Sequence, residues 1–209
     1  MSFDGKSFLQ YFKESEHVCP VFYRPEYDLF LAFDFNIANT CLVIQNVGDD
    51  LRVLREYHAE LFDLETLCQE IRLDYPGSLF TINGDASGRA SSATSANNAS
   101  GYELIRQFLR LDWDQFEVPK TNPTHLSSYM RCNYVFKNFR VRIDPSCVGL
   151  INDLKKVKVE REQNKFSIIK KDPKLTHHLD PLRYHIAAHW SDRMPDVNAL
   201  LESGHLEGR

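Results

Sequence analysis

The chain has 209 residues, of which 43% are apolar and 26% charged, and a formal net charge of −4 at pH 7. That length and composition suit a globular protein with a sizeable core and exclude disorder of the whole chain. No apolar run reaches the ~18 residues of a membrane-spanning helix, the N-terminus lacks a secretory h-region, and five cysteines without a CxxC pair speak against a disulfide framework or a zinc knuckle. These features together predict an intracellular protein with reduced thiols.

In chain order, residues 1–28 read as an aromatic leader with a short helix over Ser7–Lys13; Gly5-Lys6-Ser7 is a chance echo of a P-loop tail, with no leading Gly and no preceding strand. Leu29–Phe35, Thr40–Val47 and Leu51–His58 read as three strands joined by short turns, an antiparallel meander. Asp63 reads as the N-cap of a helix whose buried stripe is Leu64, Leu67, Cys68 and Ile71, stopped by Pro76-Gly77. Leu79–Asn83 is a fourth strand, parallel to an earlier one because a helix leads into it. Residues 86–101 are rich in Ser, Ala, Asn and Gly and read as a long mobile loop. There follow a helix over Tyr102–Leu111, a short strand Phe116–Val118, and a helix Leu126–Lys137 capped by Asn122-Pro123, with Met130, Tyr134 and Val135 in its stripe. Next come a strand Phe139–Ile143, a helix begun by Asp144-Pro145, a basic hairpin of Lys156–Glu160 with Lys165–Ile169, and a helix Thr176–Trp190. Residues 191–209 read as a poorly ordered tail. The predicted fold class is α/β: a mixed sheet, antiparallel meander plus parallel strands, flanked by helices and carrying an added hairpin.

Charge is segregated along the chain. Residues 131–174 hold twelve Lys and Arg against five Asp and Glu, an asymmetry that suits either a polyanionic partner or a solvated basic face. Three carboxylates stand out by position. Asp34 ends the first strand, Asp85 follows the fourth, and Asp180 lies near the start of the last helix, three residues after His177. If the first and fourth strands are parallel neighbours, Asp34 and Asp85 share one rim of the sheet, where open α/β folds bind ligands. Gathered acids suit hard divalent cations, and two such ions ~4 Å apart can promote phosphodiester hydrolysis. The same residues have an ordinary alternative role as turn and helix caps.

Three strings, Ala32-Phe33-Asp34-Phe35-Asn36, Gly84-Asp85-Ala86-Ser87-Gly88-Arg89 and Thr176-His177-His178-Leu179-Asp180-Pro181-Leu182-Arg183-Tyr184, resemble in order and spacing the C-terminal nuclease domain of tailed-phage terminase large subunits. Ile143-Asp144-Pro145-Ser146-Cys147, with Leu150-Ile151-Asn152-Asp153-Leu154 behind it, is similar to that family as well. The resemblance covers roughly residues 27–190. It implies an RNase H-like nuclease domain over 29–190 and a metal-dependent endonuclease that cuts concatemeric double-stranded DNA during packaging, in the host cytoplasm. It also implies catalytic and metal-ligating roles for Asp34, Asp85 and Asp180, with His177 as an accompanying ligand and two Mg²⁺ or Mn²⁺ ions. The partners it implies are an ATPase domain in the full-length protein, a portal and a small terminase subunit, and no membrane. This chain has no Walker A motif, so no ATP hydrolysis is expected of it. Pro181, directly after Asp180, departs from the family pattern and leaves open whether Asp180 or His177 is the nearer ligand.

On that reading Ser87 and Arg89 would contact a phosphate, and Lys158, Arg161, Lys165 and Lys174 would track the duplex with little sequence preference. His185 and His189, four apart on a helix, have no third ligand at zinc spacing and read as core, and His178 as structural or surface. Trp113 and Trp190 read as core or loop anchors. Two other functions compete: a junction resolvase, which would prefer branched DNA, and a non-catalytic portal or capsid docking module, which would bind no metal.

Overall fold

The computed structural model describes residues 5–35, 38–60, 63–90, 98–162, 165–169, 175–196 and 199. Five strands form the central sheet: β2 (Leu29–Phe35), β3 (Ala38–Val47), β4 (Asp50–Glu60), β5 (Phe80–Gly84) and β6 (Arg140–Ile143). Their order is β5-β2-β3-β4-β6, with β3 antiparallel to β2 and β4 while β5 runs parallel to β2 and β6 parallel to β4. This is the predicted mixed sheet.

Helices cover both faces, and the alternation of each strand shows how. Leu31, Phe33, Cys41 and Val43 point to one side, where they meet α2 (Leu64–Asp74) and α3 (Gly101–Leu109). Ala32, Leu42 and Ile44 point to the other, against α4 (His125–Asn138), α5 (Val148–Lys156) and α6 (Leu179–His189). Because β2 is buried on both faces, it reads as a continuous apolar run rather than an alternating one. The stripe Leu64, Leu67, Cys68 and Ile71 is buried as predicted. In α4, Met130 and Val135 are buried and Tyr134 packs partly against the core.

A bulge in β4 aims part of the site. Val43 pairs with Arg55 and Ile44 with Val53, so Leu54 is an extra residue in its strand. Leu51 and Val53 lie in the α4–α6 core, and Leu54 and Tyr57 in the opposite one. The inserted residue reverses the alternation and turns Glu56 and His58 toward the α5–α6 side.

The leader is woven into the domain. β1 (Lys6–Ser7) pairs with β7 (Lys158–Glu162), which pairs with β8 (Lys165–Ile168), giving a second, three-stranded sheet. The predicted helix over Ser7–Lys13 is not formed. Phe8 and Leu9 are consecutive and both buried, and Gln10 N–H donates to Asn133 Oδ1 at 2.8 Å, so tertiary contacts hold this stretch extended. A short helix, α1 (Glu14–His17), follows instead. Val18 bridges to Ile143, tying the leader to β6.

Three more boundaries differ from expectation. Phe116–Val118 makes one bridge to Ile82, not a strand, and Pro119 cannot extend a ladder. Thr124, not Asn122-Pro123, caps α4 through its side chain. Asp144 does not start α5. Its carboxylate accepts from Ser146 N–H, Ser146 Oγ and Val21 N–H, a local turn that outcompetes capping and delays the helix to Val148. Residues 86–89 form a 3₁₀ turn, and Ser100 and Glu103 build a capping box on α3. The rest of the predicted mobile loop, residues 91–97, lies outside the described residues, as does most of the predicted tail. Among the described residues no helix is long and apolar enough to cross a membrane, and the cysteines are free thiols.

Candidate active site

Asp34 and Asp85 stand at the C-terminal ends of adjacent parallel strands, as the sequence predicted. Phe33 is the register partner of Gly84, and Asp85 N–H continues the ladder to Phe33 O at 2.9 Å. Glycine is required at 84. Its φ is +138°, and a Cβ would sit 2.1 Å from Phe33 O. Asp34 is fully buried and Asp85 nearly so, at 0% and 3% exposure.

Asp85 is held rigidly. Its Oδ1 accepts from Ser87 N–H at 2.8 Å and from Asn122 Nδ2 at 2.6 Å, and its Oδ2 accepts from Ser87 Oγ–H at 2.6 Å. Its carbonyl accepts from the Tyr102 hydroxyl at 2.9 Å. Ser87, expected on a DNA phosphate, thus gives its hydroxyl proton to Asp85. Arg89, expected on a phosphate too, donates to the Val118 carbonyl. It lines a separate cavity of about 560 Å³ with Trp113 and Phe116.

Asp180 arrives on the first turn of α6. The helix begins at Leu179 rather than at Thr176, so His177 precedes it and lies outside the helix that carries Asp180. Pro181 falls inside the first turn, where its missing N–H leaves no bond unmade. Two carboxylates, Asp153 buried and Glu56 partly so, set the position of this segment. Asp153 Oδ2 accepts from His178 and Leu179 N–H at 3.0 and 3.2 Å, capping α6 from α5. Glu56 accepts from Gly149 and Leu150 N–H at 2.7 and 2.8 Å, capping α5 from β4. The bulge at Leu54 is what delivers Glu56 to that helix. Gly149 has no Cβ because one would lie 2.5 Å from the His178 ring. Burial pushes the His178 imidazole down to about 4, with Asp153 pulling the other way, so it sits here neutral. Burial holds the Asp153 and Glu56 carboxyls above their ordinary values, against the backbone donors that lower them.

His177 Nδ1 lies 3.5 Å from Asp34 Oδ2, and both are buried. His177 therefore stands beside the first acid. Asp180 is bound differently. Its Oδ1 accepts from Arg183 Nε at 2.6 Å in a buried pair. Arg183 also donates to Ser128 Oγ and the Tyr184 hydroxyl. Burial opposes the guanidinium charge, but Asp180 and the Tyr184 phenol outweigh it and hold its pKa above the ordinary value. Burial also raises the Tyr184 phenol, opposed by Arg183 and reinforced in turn by Asp180, Asp85 and Asp34. Asp85 and Asp180 line a single open cleft of about 510 Å³ with Asn122, Arg183 and Tyr184, and Phe166 of β8 overhangs it.

Within the described residues, no three His, Cys, Asp or Glu side chains converge as a metal-binding group. In chemistry the donors still fit a hard divalent cation, because they are carboxylate oxygens and one imidazole. Asp34 and Asp85 follow one another across neighbouring parallel strands, and His177 lies beside Asp34. Asp180 is paired with an internal cation, Arg183, through one oxygen.

The hairpin forms, but its first strand runs Lys158–Glu162 rather than Lys156–Glu160 because α5 extends to Lys156; Val159 lies opposite Ile168 and Glu162 opposite Lys165. Lys158 and Arg161 are exposed on it. The Lys165 side chain and all of Lys174 lie outside the described residues. His185 and His189 are core residues, as expected. Asn83 Nδ2 donates to His185 Nδ1 at 3.1 Å and to His189 Nε2 at 2.7 Å. Trp190 is fully buried, whereas Trp113 is half-exposed on its loop.

Asn122, Arg183, Glu56 and Asp153 join the site without having been candidates on sequence grounds. Arg183 carries a readable signal, the i,i+3 spacing from Asp180. Asn122 lies 37 residues from Asp85 and carries none.

No family model and no curated protein matches the chain. Solved structures do. The large terminase of a thermophilic bacteriophage, in complex with ATP-gamma-S, superposes with a TM-score of 0.67 at 15% identity, over 89% of this chain and 46% of that one. The large terminase nuclease of thermophilic phage G20c with bound cobalt gives 0.56 at 10% identity, over 89% and 97%. The g2p (large terminase) nuclease domain of bacteriophage SPP1 with bound Mn gives 0.52 at 15%, over 79% and 86%. The chain therefore has the fold of the large-terminase nuclease domains, an RNase H-like mixed sheet. It spans slightly under half the length of the nucleotide-bound large terminase.

Proposed function

We propose that this chain is the nuclease domain of a phage terminase large subunit, a divalent-cation-dependent endonuclease that cuts double-stranded DNA during genome packaging. The observation that carries the reading is the rim itself. Asp34 and Asp85 end neighbouring parallel strands, and Asp180 shares a cleft with Asp85, in a fold common to terminase nucleases. The Mn and Co bound to the SPP1 and G20c proteins support a divalent metal here.

Asp34 and Asp85 would hold a cation, with His177 beside Asp34. A divalent cation, when bound, supplies Lewis acidity toward a phosphodiester oxygen. Ser87 and Asn122 fix the rotamer of Asp85, so its geometry is set before any ligand arrives. Arg183 brings positive charge to the wall of the cleft, where a scissile phosphate would lie. Lys158 and Arg161 on the overhanging hairpin would hold the flanking backbone without reading sequence. A second ion, which the family resemblance implies, requires Asp180 to bind metal alongside Arg183 or in its place. An ATPase domain, a portal and a small subunit are the partners this reading assigns to the full-length protein.

The test is cleavage of supercoiled plasmid with Mn²⁺, with Mg²⁺ and with EDTA, for the wild type and Asp34→Asn. Cutting by the wild type alone, abolished by EDTA, is the expected result. No cutting and no metal binding by calorimetry would overturn the nuclease reading and favour a docking module.

A further inference from the structure

Directly across the sheet from Asp34 lies Thr40 of β3. The two are register partners, so their side chains leave the same face, with Cβ atoms ~4.5–5.5 Å apart as for any opposed pair. Thr40 is 0% exposed, and its Oγ1 has no hydrogen-bond partner among the described residues. A buried hydroxyl left unpaired is a cost that a folding core normally avoids. The next positions of β3 on this face are Leu42 and Ile44, both buried in the α4–α6 core. Packing alone therefore favours valine at 40, which has the shape of threonine and no polar atom. The fold does not explain the hydroxyl, yet it stands against the fully buried acid of the candidate site.

We infer that Thr40 is a positioning residue of that site: its hydroxyl hydrogen-bonds a water in the coordination shell of a divalent cation carried by Asp34. The inference rests on the nuclease reading above and adds a residue to it. The pairing puts the unpartnered hydroxyl and the carboxylate on one face of the sheet, with the His177 ring also against Asp34. Thr40 would fix the orientation of that water and so sharpen affinity for the ion, as partners outside the ligand set commonly do.

The experiment compares wild type, Thr40→Val and Thr40→Ser by Mn²⁺ titration calorimetry, with thermal unfolding in EDTA alongside. Removing an unpaired buried hydroxyl while keeping its volume leaves the metal-free Tm unchanged or raises it. The same change weakens Mn²⁺ binding by roughly ten-fold or more, and Thr40→Ser restores the affinity. Unaltered Mn²⁺ affinity in Thr40→Val overturns the inference and leaves the nuclease reading intact. A lowered metal-free Tm in Thr40→Val overturns it too, because the hydroxyl then serves the fold. A wild type that binds no Mn²⁺ overturns the nuclease reading itself, and the inference with it.

Discussion

Asp180 and Arg183 form the pair with most at stake in the domain. Both are buried, at 1% and 5% exposure, and the guanidinium fork reaches Ser128 and Tyr184 as well. Breaking such a pair from one side leaves an uncompensated charge in the core, at a cost of about 3–5 kcal/mol. Arg183→Met is expected to destabilise the protein by that order in urea unfolding. Arg183→Lys should not restore it, since a compact ammonium cannot reach Asp180, Ser128, Tyr184 and the Pro123 carbonyl as the planar guanidinium fork does. A loss below ~1 kcal/mol would show the pair to be solvated. At this scale the sequence showed Asp34, Asp85 and Asp180 because each sits at an element boundary. It did not show that Ser87 hydrogen-bonds Asp85 and Arg89 the Val118 carbonyl, because a polar residue beside an acid looks the same whether it faces ligand or protein.

Between elements, the site depends on two caps made in trans. β4 supplies Glu56 to the N-terminus of α5, and α5 supplies Asp153 to the N-terminus of α6, which carries Asp180. Each carboxylate satisfies two N–H groups that a helix end leaves unpaired, and each lies at the positive end of a helix dipole. Asp153→Ala is expected to lower stability by about 1–3 kcal/mol, and to impair cleavage further by loosening the start of α6. A cleavage rate falling no more than the folded fraction would refute the positioning role. The hairpin makes a separate prediction. Lys158→Ala with Arg161→Ala should weaken DNA binding uniformly across sequences and reduce the slope of log affinity against log salt by about 1 per lost phosphate contact. An unchanged slope would place the duplex elsewhere. Strands β2, β3 and β5 and helix α2 were legible because periodicity and turn residues agreed. The bulge at Leu54 was not, since one inserted residue leaves an apolar strand looking continuous. Nor was the trans capping of α5, where Asp144-Pro145 offered a stronger local signal than the distant Glu56.

Across the whole molecule, His178, His185 and His189 lie near or behind the acidic rim, and burial depresses the pKa of each. Burial lowers His178 to about 4, and it lowers His185 far below its ordinary value with His189 adding to the effect. Burial lowers His189 too, though Glu117 opposes it. A histidine whose folded pKa is depressed binds protons more readily when unfolded. Its contribution is complete above the unfolded value near 6.5 and is lost as pH falls toward the folded value. Asp153 and Glu56 act with opposite sign. Burial raises their carboxyls above 3.8 and 4.5, so they favour the folded state as they take up protons in the acid range. From pH 7 to 5 the histidines therefore dominate. Each unit of displacement is worth about 1.4 kcal/mol, enough for Tm to fall by several degrees over that interval. His185→Gln should flatten this slope even if its Tm at pH 7 is lower, because only the wild type has a proton to exclude there. A wild-type Tm that holds steady from pH 7 to 5 would mean that these imidazoles are hydrated. The acidic rim would then rest on a wet support, and the hydrogen bonds of Ser87 and Asn122 to Asp85 would carry its order alone.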